Sequence, residues 1–147
     1  MEATNTAVVS RGKLDFSGLV RVDTVIFVAI LTAGIILRFW DLDVRAYHHD
    51  ESLHAYYSYN YAERGDYAHN PLLHGPFQFH INALVFKIFG ASDYTGRVAA
   101  AVFGTLLMAM PLLIRHKFGR AGTLITVALI AFSPALLYFS RFTREDI

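Results

Sequence analysis

Four apolar stretches alternate with polar ones along the chain, and their lengths set them apart. The first covers residues 23–40 and ends in "GIILRFW", the third covers residues 97–115, and the fourth, residues 121–140, contains "AGTLITVALIAFSPALLYF". A helix that crosses a bilayer needs roughly 17–25 mostly apolar residues, and these three stretches meet that length. Arg38 would snorkel from the end of the first, and Trp40 would anchor it at the interface. The second stretch, "PFQFHINALVFKIFG", residues 76–90, is shorter and is interrupted by Gln78, His80, Asn82 and Lys87. It predicts a helix lying in the interface, entered through a turn at Gly75 with Pro76 in its first turn. A second interfacial helix is predicted over about residues 50–64. Leu53, Tyr57 and Tyr61 recur every four residues, Asp50 and Glu51 suit the positive end of the helix dipole, and Gly65 is a stop signal. The expected fold is an all-α membrane protein with three transmembrane helices and two juxtamembrane interfacial helices.

Composition supports the membrane reading. The 147 residues are 54% hydrophobic with mean hydropathy +0.38, against ~45–50% apolar residues in soluble domains. A net charge of +1 gives no electrostatic attraction for nucleic acid, so none is expected as a partner. Cysteine is absent, which removes disulfide and thiolate chemistry. Residues 1–22 form a polar tail, too long for a signal-peptide leader, and the first apolar stretch reads as a retained anchor. The chain ends "YFSRFTREDI" directly after an apolar stretch, so it reads as the N-terminal piece of a longer protein.

Charge then orients the chain. The basic cluster "RHKFGR" between the last two spans and the basic tail both belong on the cytoplasmic side by the positive-inside rule. Both can do so only if residues 76–90 do not cross. Residues 41–96 then form an extracytoplasmic loop, residues 116–120 a cytoplasmic one, and residues 141–147 begin a second extracytoplasmic loop. Two acidic pairs, Asp50–Glu51 and Glu145–Asp146, fall on the same outer face, with six of the seven histidines in the first loop.

Asp50 and Glu51 can be read as ordinary acids of a first helical turn, or as catalytic carboxylates at the mouth of the membrane domain. Adjacent helical residues point about 100° apart, so the two need not act together. Asp50 and His54 are four apart, and with Asp146 they form a candidate set for a divalent metal ion, the one cofactor these residues could take. The alternative is that the histidines serve as hydrogen-bonding members of an aromatic belt. Arg141 and Arg144 are either a charged collar ending a helix or a phosphate site, since arginine binds phosphate bidentately. Arg97 has the same two readings.

The motifs "HHDESLHAYYSYNYAERGDY", "HGPFQFHINALVFKIFGASDYTGRVAAAVFG" and "SRFTREDI" occur in that order. Over roughly residues 40–147 the chain resembles the N-terminal module of GT-C glycosyltransferases. These include the protein O-mannosyltransferases and the aminoarabinose transferase of lipid A. The nearest likeness is to the prokaryotic flippase activity-associated branch. The resemblance implies an enzyme that takes a sugar from a polyprenyl-phosphate carrier, at the outer face of the plasma membrane, onto a hydroxyl of a protein, lipid or glycan acceptor. It carries the role of base onto Asp50 and an arranging role onto Asp146, with Glu51 as a further catalytic candidate. Arg97, Arg141, Arg144 and His74 become candidates for the donor phosphate. His74 stands where the aminoarabinose transferase has a lysine, and would act only when protonated. The alternative the branch label implies is a non-enzymatic accessory of lipid-linked sugar translocation. A transport role would favour polar residues at mid-membrane; the third and fourth stretches have few there, and their ionisable residues lie at the ends.

Overall fold

The computed structural model describes residues 22–68 and 75–143. Among the described residues every regular element is helical: α1 Val22–Phe39, α2 His49–Arg64, α3 Pro76–Phe89, α4 Thr95–Ala109 continued by a 3₁₀ turn Met110–Leu112, α5 Arg115–Phe132 and α6 Pro134–Phe139. Helices α1, α4 and α5 pack into a bundle, and α2 lies against α3 at one end of it.

Helix α1 buries little of its apolar surface. In α1 only Gly34 and Arg38 are buried, while Val25, Ile26, Val28, Ile36 and Leu37 face outward. Small residues make the contacts between helices. Gly34 lies against Met108 of α4 and Ala131 of α5, and Gly104 of α4 against Ser140 and Arg38. Close approach through glycine, with apolar side chains outward, is how helices associate where the surroundings are themselves apolar. Val22–Phe39 and Thr95–Leu112 are long and apolar enough to cross a membrane. Of the small residues of α1, Gly34 makes the close contact, whereas Ala29 is exposed.

The third expected span is not one helix. Gly119 adopts φ 66°, ψ −174°, so regular helix resumes only after it. A second break falls at Ser133, where Pro134 has no N–H to give to the carbonyl of Ile130. The uninterrupted helix over residues 120–132 is about 20 Å long, short of a ~30 Å hydrocarbon layer.

That break explains Arg38, which does not snorkel. Its side chain is fully buried and donates to the carbonyls of Gly34, Ala131 and Ile130 at 3.1, 3.2 and 3.1 Å. It thereby caps the end of α5 that Pro134 leaves open. Arg141 returns the arrangement, donating to Leu37 and Asp41 carbonyls at the end of α1 at 2.6 and 2.9 Å. Gly104 leaves room for this crossing. A Cβ there would collide with the side chain of Ser140 at both Oγ and Cβ. Gly104→Ala is therefore expected to destabilise by about 1–3 kcal/mol through overpacking. A thermal melt in detergent checks this, and an unchanged midpoint would show that α6 moves aside freely.

Candidate active site

Helix α2 begins at His48 in an extended backbone conformation and ends on Gly65 in the left-handed region, φ 67°. The His48 N–H donates to Glu51 Oε2 at 3.0 Å, and the Asp50 N–H donates to His48 Nδ1 at 3.4 Å. This exchange caps the free N–H groups of the first turn. The face α2 buries is polar: Glu51, His54 and Ser58, at helical spacing. It packs on α3, where the His54 ring lies 4.9 Å from that of Phe79. The repeat of Leu53, Tyr57 and Tyr61 does not mark the inward face, because Tyr57 is exposed and the other two are half-buried.

Glu51 is the centre of the site. It is fully buried and accepts from Arg97 through two bonds, Nε to Oε1 at 2.8 Å and a terminal nitrogen to Oε2 at 2.9 Å. Arg97 also donates to the carbonyls of Leu42, Arg45 and Ala46 at 2.6, 2.8 and 3.3 Å. All five of its N–H groups are thus engaged. The Tyr47 ring lies 4.7 Å from the guanidinium carbon. The Tyr47 hydroxyl donates to Ser92 and Asp93 carbonyls, and its pKa is pushed up to about 12, first by burial and then by the Asp93 charge. Finally, the backbone N–H of Thr143 donates to Glu51 Oε1 at 3.1 Å, and its hydroxyl donates to the Gly96 carbonyl at 2.7 Å. One carboxylate therefore joins α2, α4 and the stretch that follows α6.

These positions revise several sequence expectations. Glu51 is enclosed in an ion pair, so it is a framework acid with no surface open to an acceptor. Arg97 has no N–H left for a donor phosphate, and Arg141 caps α1. His54 is buried with its ring 4.9 Å from that of Phe79, turned inward instead of standing beside Asp50 at the surface. Among the described residues no three His, Asp or Glu side chains cluster to hold a metal ion. Asp146, the third ligand of the expected set, lies outside the described residues, as do His74, Arg144 and Glu145. Asp50 itself is one third exposed at the mouth of the site, 3.8 Å from His48 Nδ1. The His48 ring in turn meets that of Phe142 at 5.7 Å.

Residues 73–147, just over half of the chain, match the protein family described as dolichyl-phosphate-mannose-protein mannosyltransferase. The chain belongs to that family. No curated protein and no solved structure gives a significant match. The matched mannosyltransferase segment contains Arg97 and Thr143, while Glu51 and Asp50 precede it. The buried ion pair therefore fastens the preceding loop to the segment that carries the family likeness.

One cation of this mannosyltransferase-family site escaped the sequence reading. Arg45 is half exposed, stands 3.6 Å from Glu51 Oε2, and lies over the rings of Tyr138 and Phe142 at 5.3 and 5.5 Å. Its signal in the sequence was weak: a single arginine among the aspartates of "DLDVRAYHHDE".

Burial alone raises the Glu51 pKa, but the Arg97 bonds and the His48 and Thr143 N–H groups outweigh it and hold the carboxyl below its usual range. A depressed folded pKa stabilises the fold fully above the unfolded value of ~4.3, and that contribution disappears as pH falls through the folded value. Melting temperature is therefore expected to fall below about pH 4. Glu51→Gln should show a flatter acid limb, and an identical limb would assign the acid loss to another group.

Proposed function

We propose that the chain forms the acceptor side of an inverting membrane glycosyltransferase that moves a sugar from a polyprenyl-phosphate donor to a hydroxyl of a protein, lipid or glycan. The observation that carries this reading is the placement of Asp50. It is a partly open carboxylate at the start of a helix that Glu51, Arg97 and Thr143 hold rigidly against the bundle. In the reaction, Asp50 takes the proton from the acceptor hydroxyl, whose oxygen bonds to the sugar C1. The bond from C1 to the phosphate oxygen breaks on the opposite face, and polyprenyl phosphate leaves with the electron pair. A single displacement of this kind inverts the anomeric centre.

The carrier's tail needs the bilayer, so the reacting atoms belong at its edge. In our reading α1, α4 and the broken pair α5–α6 cross the plasma membrane, α2 and α3 lie on its outer face, and the N-terminus is cytoplasmic. The extracytoplasmic site then sits where the ends of α1, α4 and α6 meet α2. A divalent ion would have to be held by Asp50 together with residues beyond 143, and its role in positioning the phosphate belongs to this proposal alone.

Arg45 takes the phosphate-facing role in place of Arg97 and Arg141. Its guanidinium is supported on two rings yet open to the outside, which suits an arginine that receives a charged leaving group. Arg45→Gln is expected to lower transfer about 10–100-fold, the loss of one donor to a developing charge.

The test of the function is a transfer assay with the full-length protein in lipid and a mannosyl polyprenyl phosphate donor, reading the anomeric configuration of the product. Inverted product supports the proposal. Retained configuration, or no transfer to any hydroxyl acceptor class, overturns it.

A further inference from the structure

The end of α1 far from Glu51 carries a second charged cleft. It lies between the start of α1, the 3₁₀ turn after α4 and the first turns of α5, with a volume of about 100 Å³. Its charged residues are Asp23, Arg115 and Arg120, beside the hydroxyls of Thr24 and Thr123, and Phe27, Leu112 and Leu124 form its apolar wall. Two guanidiniums face one carboxylate, so the cleft holds one positive charge in excess. The Arg120–Asp23 contact is 3.7 Å long and half exposed, a pair too weak to close the site. A single water needs ~10–15 Å³ of such space, so the cleft admits a group of several heavy atoms such as a phosphate. The turn at Gly119 also starts a fresh helix at Arg120, and the N–H groups of its first turn add to the positive field.

We infer that this cleft binds a phosphate group, independently of the transfer reaction at the other end of the bundle. The shape of the walls points to a phosphate that carries an apolar chain. Phe27 and Leu124 lead from the cleft onto the outward faces of α1 and α5, where Val28, Ile125 and Leu129 are exposed. An anionic lipid would place its headgroup phosphate between Arg115 and Arg120 and its acyl chain along these side chains.

The experiment titrates the full-length protein in neutral detergent with phosphatidylglycerol, phosphatidylcholine or sodium phosphate, counting bound lipid by native mass spectrometry and following the melting temperature. Phosphatidylglycerol should bind at one site and raise the midpoint. Arg115→Gln and Arg120→Gln should each weaken it about fivefold. Lys117→Gln, on the same turn but outside the cleft, should leave it unchanged. If sodium phosphate stabilises as well as phosphatidylglycerol and with the same dependence on the two arginines, the phosphate site stands and its ligand is soluble. Equal binding of phosphatidylcholine, or equal loss with Lys117→Gln, overturns the site in favour of non-specific surface contact. Circular dichroism of each variant separates lost binding from lost fold, and sugar transfer plays no part in the readout.

Discussion

Glu51→Ala is expected to destabilise the protein by about 3–5 kcal/mol, the cost of leaving one partner of a buried ion pair uncompensated. Arg97 is 1% exposed, so water cannot replace the lost carboxylate. The damage should not stop at the pair. Glu51 also accepts from the N–H of His48 and of Thr143, so its removal uncaps α2 and releases the stretch after α6. Thermal unfolding and limited proteolysis of the detergent-solubilised protein check this, with cleavage near residues 40–50 expected to rise. Glu51→Gln should lie between, because an amide keeps one acceptor oxygen but loses the charge. Removing both partners in Glu51→Leu/Arg97→Met should be milder than Glu51→Ala, since an apolar pair leaves no buried charge. A Glu51→Ala protein that melts like the wild type would show that the ion pair is not a support of the fold.

Asp50→Asn is expected to do the opposite: leave the unfolding free energy within about 0.5 kcal/mol of wild type, as surface substitutions do, and lower sugar transfer about 10²–10⁴-fold. The two residues are neighbours in sequence, yet the helix turns one inward to Arg97 and the other outward. Asparagine keeps the size and hydrogen-bonding reach of the side chain but cannot accept the acceptor's proton. The useful measurement is the pair of readouts on one sample, melting midpoint and transfer rate. Transfer near the wild-type rate would remove Asp50 as the base. A large fall in both readouts would make it a second framework acid like Glu51.

The contrast between these neighbours also marks how far the sequence could be read. "DE" at the head of a helix announces two acids and, through the 100° step, two directions. It does not say which direction is inward. The four-residue repeat of Leu53, Tyr57 and Tyr61 pointed to a helix lying along an interface, and not to the face that helix buries. In our reading α2 lies at a membrane edge, where tyrosine and leucine are as well placed against lipid as against protein, so their spacing does not mark the packed face. The polar residues at 51, 54 and 58 gather inside instead. The arginines show the same limit. Arg38, Arg97 and Arg141 each sit near the end of an apolar stretch, where a solvated collar and a ligand site look alike in sequence.

What the sequence determined by itself was the local structure. Its apolar stretches marked α1, α3 and α4, whereas the last stretch is broken at Ser133. Gly65 ended α2 because a left-handed residue is cheapest as glycine, and Pro76 opened α3 because its missing N–H is not needed there. The tertiary structure alone decided what each charge meets. Glu51 finds Arg97 46 residues away and Thr143 92 residues away, and Arg38 finds its carbonyls 92 and 93 residues away. The Arg38 partners exist because the break at Ser133 leaves carbonyls open and because Gly104 lets two helices approach. A buried guanidinium or carboxylate takes whatever opposite group the packing brings within 3 Å, and sequence spacing carries no record of that distance.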